Sequence, residues 1–234
     1  MFESDTDQTG VPRIKRPEVA RRAFLSRGAL LAGSAVAGVG LTTAMSQELF
    51  GQQSPPVSLK QQMQLVRRHE NDHVAFLVNF LQNSLGVTPR PKPVFQNIDT
   101  PNLYQFLLLS RALENTGVAA YLGAAPVILD RGILAAAASI ATIESRHAGM
   151  FNAITSKAMT DNVFGQELSF ERAGTVDEIV GIAGTYIANL NGGPPLTFSS
   201  TPSPANDVDI LNFALALEYL EAEYYNINVP KYYA

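Results

Sequence analysis

The chain has 234 residues, 46% hydrophobic and 16% charged, which is enough apolar material for one well-buried domain with appendages and too much for a disordered protein. Seventeen Lys and Arg against 21 Asp and Glu leave a formal net charge of -4. No basic stripe interleaved with aromatics is present to track a phosphate backbone, which argues against a nucleic-acid partner. There is no cysteine, so disulfides, iron-sulfur clusters, thiolate metal sites and Cys nucleophiles are excluded, and any metal site must use carboxylates and imidazoles.

Arg21 and Arg22 precede Ala23, Phe24 and Leu25, followed by a weakly apolar Gly/Ala-rich run from Gly28 to Leu41 that ends near Thr42, Thr43 and Ala44. The pattern reads as a twin-arginine export signal over residues 1–45, followed by a linker at 46–57. The apolar run has signal length and is short of the roughly 20 residues that a membrane-spanning helix needs. The expectation is export to the periplasm or cell envelope with cleavage after Ala44; an uncleaved signal acting as a membrane anchor is the alternative.

Residues 58–234 then read as one all-α domain. Ser58 with Gln61 three residues on forms a capping box that opens a first helix, and Gly86 supplies its stop. After a connection containing Pro89, Pro91 and Pro93, Thr100 and Pro101 suggest the cap and first residue of a second helix reaching about Ala124. Asp130 caps a third, alanine-rich helix through Ile154. A long, mostly irregular insert at 155–206 is expected to hold a short helix from about Val176 to Leu190, after which Gly192, Gly193, Pro194, Pro195, Pro202 and Pro204 forbid continuous helix. Asn206 or Asp207 caps the fourth long helix, which runs to about Asn226. No segment reads as a strand.

Two motifs carry chemistry. Glu70 and His73 on the first helix, and Glu144 and His147 on the third, repeat a three-residue spacing that puts both side chains of each pair on one helix face. That face is the apolar one: Met63, Val66, Leu77 and Phe80 share it on the first helix, and Ala137, Ile140, Phe151 and Ile154 on the third. The other two long helices each align one glutamate with apolar positions, Glu114 with Leu107, Ser110 and Tyr121, and Glu218 with Leu211, Ala214 and Tyr225.

A carboxylate aimed into a core costs several kcal/mol, on a rough estimate, unless it is paired or bound to a cation. Four glutamates and two neutral histidines balance two divalent ions, and this oxygen and imidazole set suits iron or manganese, with zinc as a substitute. The set resembles that of di-iron and di-manganese carboxylate bundles, in which two helices each give a Glu and two give Glu-x-x-His.

Around these six, Glu221 lies three residues after Glu218 and reads equally as a further carboxylate ligand or as a solvent-facing residue. The corresponding position on the second helix is Gly117, which leaves room beside the metals or allows close helix packing. Tyr121 and Tyr225, each seven residues after a core glutamate, are placed to hydrogen-bond the ligand carboxylates or simply to fill the core. His69 and Asp72 point away from the motif face and read as surface groups or as outer support for the ligands.

The segments HENDHVAFL, LENTGVAAYLGAA, SIATIESRHAG and ILNFALALEYLEAEYY resemble the ferritin-like domain family that includes plant desiccation-related proteins and many exported bacterial proteins, over most of 58–154 and 207–226. The resemblance implies a ferritin-like four-helix bundle. In that family the LEYLEAE-type helix comes first, whereas here it is last, so the chain looks circularly permuted. The long, short and very long connections agree, because parallel neighbours in such a bundle need a crossover and antiparallel ones only a turn. A rival arrangement has the last helix completing a neighbouring chain's bundle in a swapped homodimer. The functional expectation is an envelope protein binding two metal ions and reacting with oxygen or peroxide, as a ferroxidase- or peroxide-consuming oxidoreductase. The alternative is a non-catalytic metal-binding or desiccation-protective protein.

Overall fold

The computed structural model describes residues 57–234; the export signal and residues 46–56 of the linker lie outside the described residues. Five α-helices follow in order: α1 (Leu59–Asn79), α2 (Leu103–Ala124), α3 (Arg131–Ile154), α4 (Val176–Ala183) and α5 (Pro204–Tyr232). Among the described residues no helix is long and apolar enough to cross a membrane.

α1, α2, α3 and α5 form a four-helix bundle whose directions follow from its side-chain contacts. Arg67 Nε donates to Asn226 Oδ1 at 2.7 Å near the start of α1, and His73 Nδ1 lies 3.2 Å from Glu218 Oε2 further along, so α1 and α5 are antiparallel. The contacts Ser110–Tyr224 at 3.4 Å and Tyr121–Glu218 at 2.5 Å make α2 antiparallel to α5 as well. α1 and α2 are therefore parallel, as are α3 and α5, and each parallel pair is joined by a long crossover, residues 85–102 and 155–203. The antiparallel pair α2 and α3 needs only the turn at 125–130. α5 packs against both α1 and α2.

The local signals are mostly where the sequence puts them, with instructive shifts. Ser58 and Gln61 form the capping box, and α1 runs on through a π-helical turn at Phe80–Ser84 before Gly86 adopts φ +67. Asp130 caps α3 by accepting from the Gly132 and Ile133 amides. The expected caps of the other two long helices are displaced. Asn102, not Thr100, caps α2, and Ser203 with Pro204 at the first position, not Asn206 or Asp207, opens α5. Asp207 instead accepts from the Leu129 and Asp130 amides at 2.8 and 2.9 Å, serving the α2–α3 turn rather than its own helix. The short helix of the insert ends at Ala183, well before Leu190, because Ile187–Asn189 (β2) pairs antiparallel with Val94–Phe95 (β1) in the other crossover. This two-stranded ribbon corrects the expectation of no strand; its segments are too short for periodicity to reveal, and each exists only through the other.

Two apolar clusters fill the bundle, and the motif residues lie between them. Val66, Phe106, Phe151 and Tyr225 belong to one cluster, and Leu77, Tyr121, Ile140 and Leu211 to the other, so each bundle helix passes from cluster to polar layer to cluster. The crossovers are held to α5 by buried polar ties. Arg90 donates to Asn212 O at 3.1 Å and to Pro194 O at 3.1 Å, joining both crossovers to that helix. Asn228 accepts from Thr100 N at 3.0 Å and Oγ1 at 2.6 Å, and donates to Ile98 O at 2.7 Å. Asn228→Ala leaves several of these groups buried without partners, and is expected to lower unfolding free energy by about 3 kcal/mol in urea titration with little change in m-value; an unchanged midpoint would refute the tie.

Candidate metal centre

Glu70, Glu114, Glu144 and Glu218 are buried to within 2% of complete, and His73 and His147 are 9% and 6% exposed. All six side chains of the predicted set converge on one layer. Their donor atoms form two groups, each with all atoms within 4.8 Å of one another: Glu70, His73, Glu144 and Glu218, and Glu70, Glu114, Glu144 and His147. Glu70 and Glu144 belong to both groups. Each remaining glutamate pairs with one histidine, so the layer has the pattern of two adjacent cation positions sharing two carboxylates.

The approach distances explain why protons alone serve this layer badly. His73 Nδ1 lies 3.0 Å from Glu70 Oε2, 3.1 Å from Glu144 Oε1 and 3.2 Å from Glu218 Oε2. His147 Nδ1 lies 3.0 Å from Glu70 Oε1 and 3.0 Å from Glu114 Oε2. A single N–H cannot satisfy two or three carboxylates, and Glu70 Oε1 and both Glu144 oxygens are buried with no hydrogen bond of acceptable geometry. Among the described residues the ion pairs of Lys and Arg all lie elsewhere, at Glu223, Glu178 and Asp99. Buried oxygens and ring nitrogens aimed at common points without a basic side chain fit hard divalent cations.

The outer contacts are crossed. Tyr121 on α2 donates to Glu218 Oε1 of α5 at 2.5 Å, and Tyr225 on α5 donates to Glu114 Oε1 of α2 at 2.5 Å. Each tyrosine thus holds the outer oxygen of the other helix's glutamate, leaving the inner oxygen to its histidine. The sequence placed both tyrosines on the right face; the exchange of partners comes from the antiparallel packing of α2 and α5.

Two asymmetries break this near-twofold pattern. Glu221 is buried, not solvent-facing, yet belongs to neither group. It occupies the space opposite Gly117, where a Cβ would meet Glu144 Oε2 at 3.2 Å and Glu221 Oε1 at 3.6 Å. The absence of a side chain at Gly117 thus makes room for two carboxylates. Second, His69 is half-buried, its ring lies nearly parallel to that of His147 (6°) and edge to edge with it, with centroids 5.3 Å apart, and it brings Nδ1 to 3.0 Å from His147 Nε2. With His147 Nδ1 turned to the carboxylates, its Nε2–H donates to His69, which orients the ring. Of the two readings open for His69, outer support is the one its position fits; Asp72 is exposed.

Burial, followed by the negative neighbours, raises the carboxyls of Glu70, Glu144 and Glu221 above their ordinary range. Burial alone would lower the imidazoles, but Glu218 and the other carboxylates outweigh it at His73 and raise it, and Glu114 and Glu70 push His147 up to about 11. Burial and Glu218 raise the Tyr121 phenol, and burial and Glu114 that of Tyr225, so both remain donors. Without metal, the layer is held together by retained protons.

An all-α bundle with a buried carboxylate and histidine layer is the class that fold and site define. The model of the ferritin-like domain matches residues 22–157 and 206–233, and the chain belongs to that family. Between the two matched stretches, residues 158–205 comprise most of the long crossover and the first two residues of α5. Neither curated proteins nor solved structures give a match.

The raised groups set the sign of a pH effect. Raised carboxyls keep protons that the unfolded chain releases above its ordinary carboxylate value, and the raised imidazoles keep theirs past the unfolded histidine value. The folded state therefore binds more protons at both steps, and metal-free protein is expected to lose thermal stability between about pH 5 and about pH 9. Bound divalent metal, which replaces those protons, should reverse the slope. Melting curves across that range check this, with a shallower slope in metal-free Glu221→Gln; a metal-free slope that is flat or rises, and that Glu221→Gln leaves unaltered, would refute it.

Proposed function

We propose that the chain is an exported protein holding a dinuclear iron or manganese centre that reacts with oxygen or peroxide. The observation that carries this reading is the pair of donor groups sharing Glu70 and Glu144. Glu218 and His73 would hold one ion, Glu114 and His147 the other, and Glu70 and Glu144 both. Two adjacent redox-active ions supply a two-electron change to a small oxidant. The chain's own residues fix the rest: Tyr121 and Tyr225 hold the outer oxygens of Glu218 and Glu114, His69 orients His147, and the apolar clusters on either side exclude water from the layer.

The helix order is part of the same reading. Two crossovers join parallel helices and one turn joins an antiparallel pair, which supports a bundle permuted so that its LEYLEAE helix stands last. Kinship with the desiccation-related branch of the family is proposed on the same segments.

Elemental analysis of purified protein tests the centre. About two iron, manganese or substituting zinc ions per chain are expected, with Glu144→Ala losing both, since it removes a donor from each group, and Glu218→Ala losing chiefly one. Wild type that is metal-free and gains no thermal stability on adding either metal would overturn the centre, and a loaded protein that consumes neither oxygen nor peroxide would reduce the metals to a structural role. Export rests on Arg21 and Arg22 before the apolar run. Replacing both with lysine should leave full-length precursor in the cytoplasmic fraction; undiminished periplasmic or envelope protein would refute the twin-arginine route.

A further inference from the structure

The two sides of the ligand layer are packed differently. On one side Phe106, Phe151, Tyr224 and Tyr225 are fully buried, with Tyr225 in contact distance of the other three rings at centroid separations of 5.1 to 6.2 Å. That side is filled with aromatic rings. On the other side lies a cavity of about 20 Å³ to which all four bundle helices contribute, with Leu77 from α1, Ala120 and Ala124 from α2, Ala136 and Ile140 from α3, and Ala214 from α5 among its walls. Leu77 follows His73 by one turn, Ile140 precedes Glu144 by one turn, and Ala214 precedes Glu218 by one turn, so the cavity abuts the layer along the bundle axis. Alanines where the opposite side has rings are what leave it hollow.

The lining selects the occupant. Its one side-chain polar group is the Tyr121 hydroxyl, which is already donated to Glu218 at 2.5 Å. An ordered water needs two to four polar partners, so a site lined in this way stays dry and takes apolar guests. A benzene-sized guest needs on the order of 150 Å³, and the roughly 20 Å³ here admits only a molecule of very few atoms. Peroxide, with two donors and two acceptors, would forfeit its hydrogen bonds on entry.

We infer that this hollow is a docking site for dioxygen, an apolar diatomic held one helical turn from the carboxylate and histidine layer and walled by the alanines of α2, α3 and α5. The choice of dioxygen among apolar diatomics rests on the oxygen-reactive reading given under Proposed function; the cavity and its selectivity for small apolar guests do not. Of the two oxidants in that reading, the cavity favours oxygen over peroxide.

Methyl NMR of metal-free and zinc-loaded protein under dissolved oxygen pressure, with nitrogen at equal pressure as reference, tests the site without any turnover. Oxygen is paramagnetic, and the methyls of Ala136, Ile140 and Leu211 should relax several-fold faster than those of Val66 and Leu113 in the other cluster. Ala136→Leu should abolish the excess at Ile140 and Leu211, Ala136→Val should reduce it, and Leu211→Ala should increase it at Ile140. Equal relaxation in both clusters, or an excess that survives Ala136→Leu, or Ala136→Val where the leucine variant fails to fold, would overturn the inference. Protein that binds no metal yet shows the excess would sink the metal centre and leave the cavity standing; metal-loaded protein without the excess would do the opposite.

Discussion

The constraint on which the rest of the structure depends is that Glu70, Glu114, Glu144 and Glu218, with Glu221 as a fifth carboxyl, are buried in one layer with two imidazoles and, among the described residues, no Lys or Arg in ion-pair range. Apolar clusters tolerate shifts of a helix along its neighbour, because one aliphatic contact replaces another at small loss. This layer does not. A slip of α5 by one turn would carry Glu218 away from His73 and Tyr225 away from Glu114, leaving buried oxygens unpaired on α2 and α5 at once. The clusters on either side supply most of the burial, and the layer between them sets the register.

The layer is nearly twofold in its glutamates and histidines and unequal in what surrounds them. α1 and α3 each bring Glu-x-x-His, while α2 and α5 each bring a glutamate and, seven residues on, a tyrosine for the opposite glutamate. Glu221 has no counterpart on α2, where Gly117 yields the space it fills, and His69 supports His147 alone. Two cation positions in such a layer would differ in charge and in ring orientation, and so in affinity and potential. The dry cavity on one side and the ring-filled volume on the other add a direction along the bundle axis.

Much of this was legible in the sequence, because a carboxylate on an apolar helix face contradicts its surroundings and two Glu-x-x-His motifs doing so are hard to produce by chance. Glu70, His73, Glu144 and His147 were visible on that ground, and Glu114 and Glu218 followed from their apolar neighbours. What stayed hidden depends on contacts between elements. Asp207 has the chemistry of a helix cap, but its carboxylate serves amides 77 and 78 residues away in sequence. β1 and β2 are too short to show alternation and exist only as a pair across two crossovers. His69 lies off the motif face of its own helix, and only the neighbouring helix turns it into a support for His147. Glu221 could be placed on a helix but not in or out of the core, because the glycine that admits it lies on α2.

Placing the most heavily committed helix last in the chain explains the polar ties on the crossovers. α5 supplies Glu218, Glu221 and Tyr225 to the layer and runs antiparallel to both α1 and α2. Both of its crossover neighbours must span the length of the bundle, and long connections by themselves add only a slowly growing entropic cost without fixing a position. Arg90 and Asn228 convert them into constraints, since each buries hydrogen bonds that are satisfied only when α5 is seated. Asp207 does the same at the end of α5 opposite Asn228, because the turn between α2 and α3 is held by a residue of α5. The donor group of Glu70, Glu114, Glu144 and His147 can be assembled from the first three bundle helices, whereas the group containing Glu218 cannot. The second donor group, and the tyrosine that holds Glu114, therefore form only once α5 is seated.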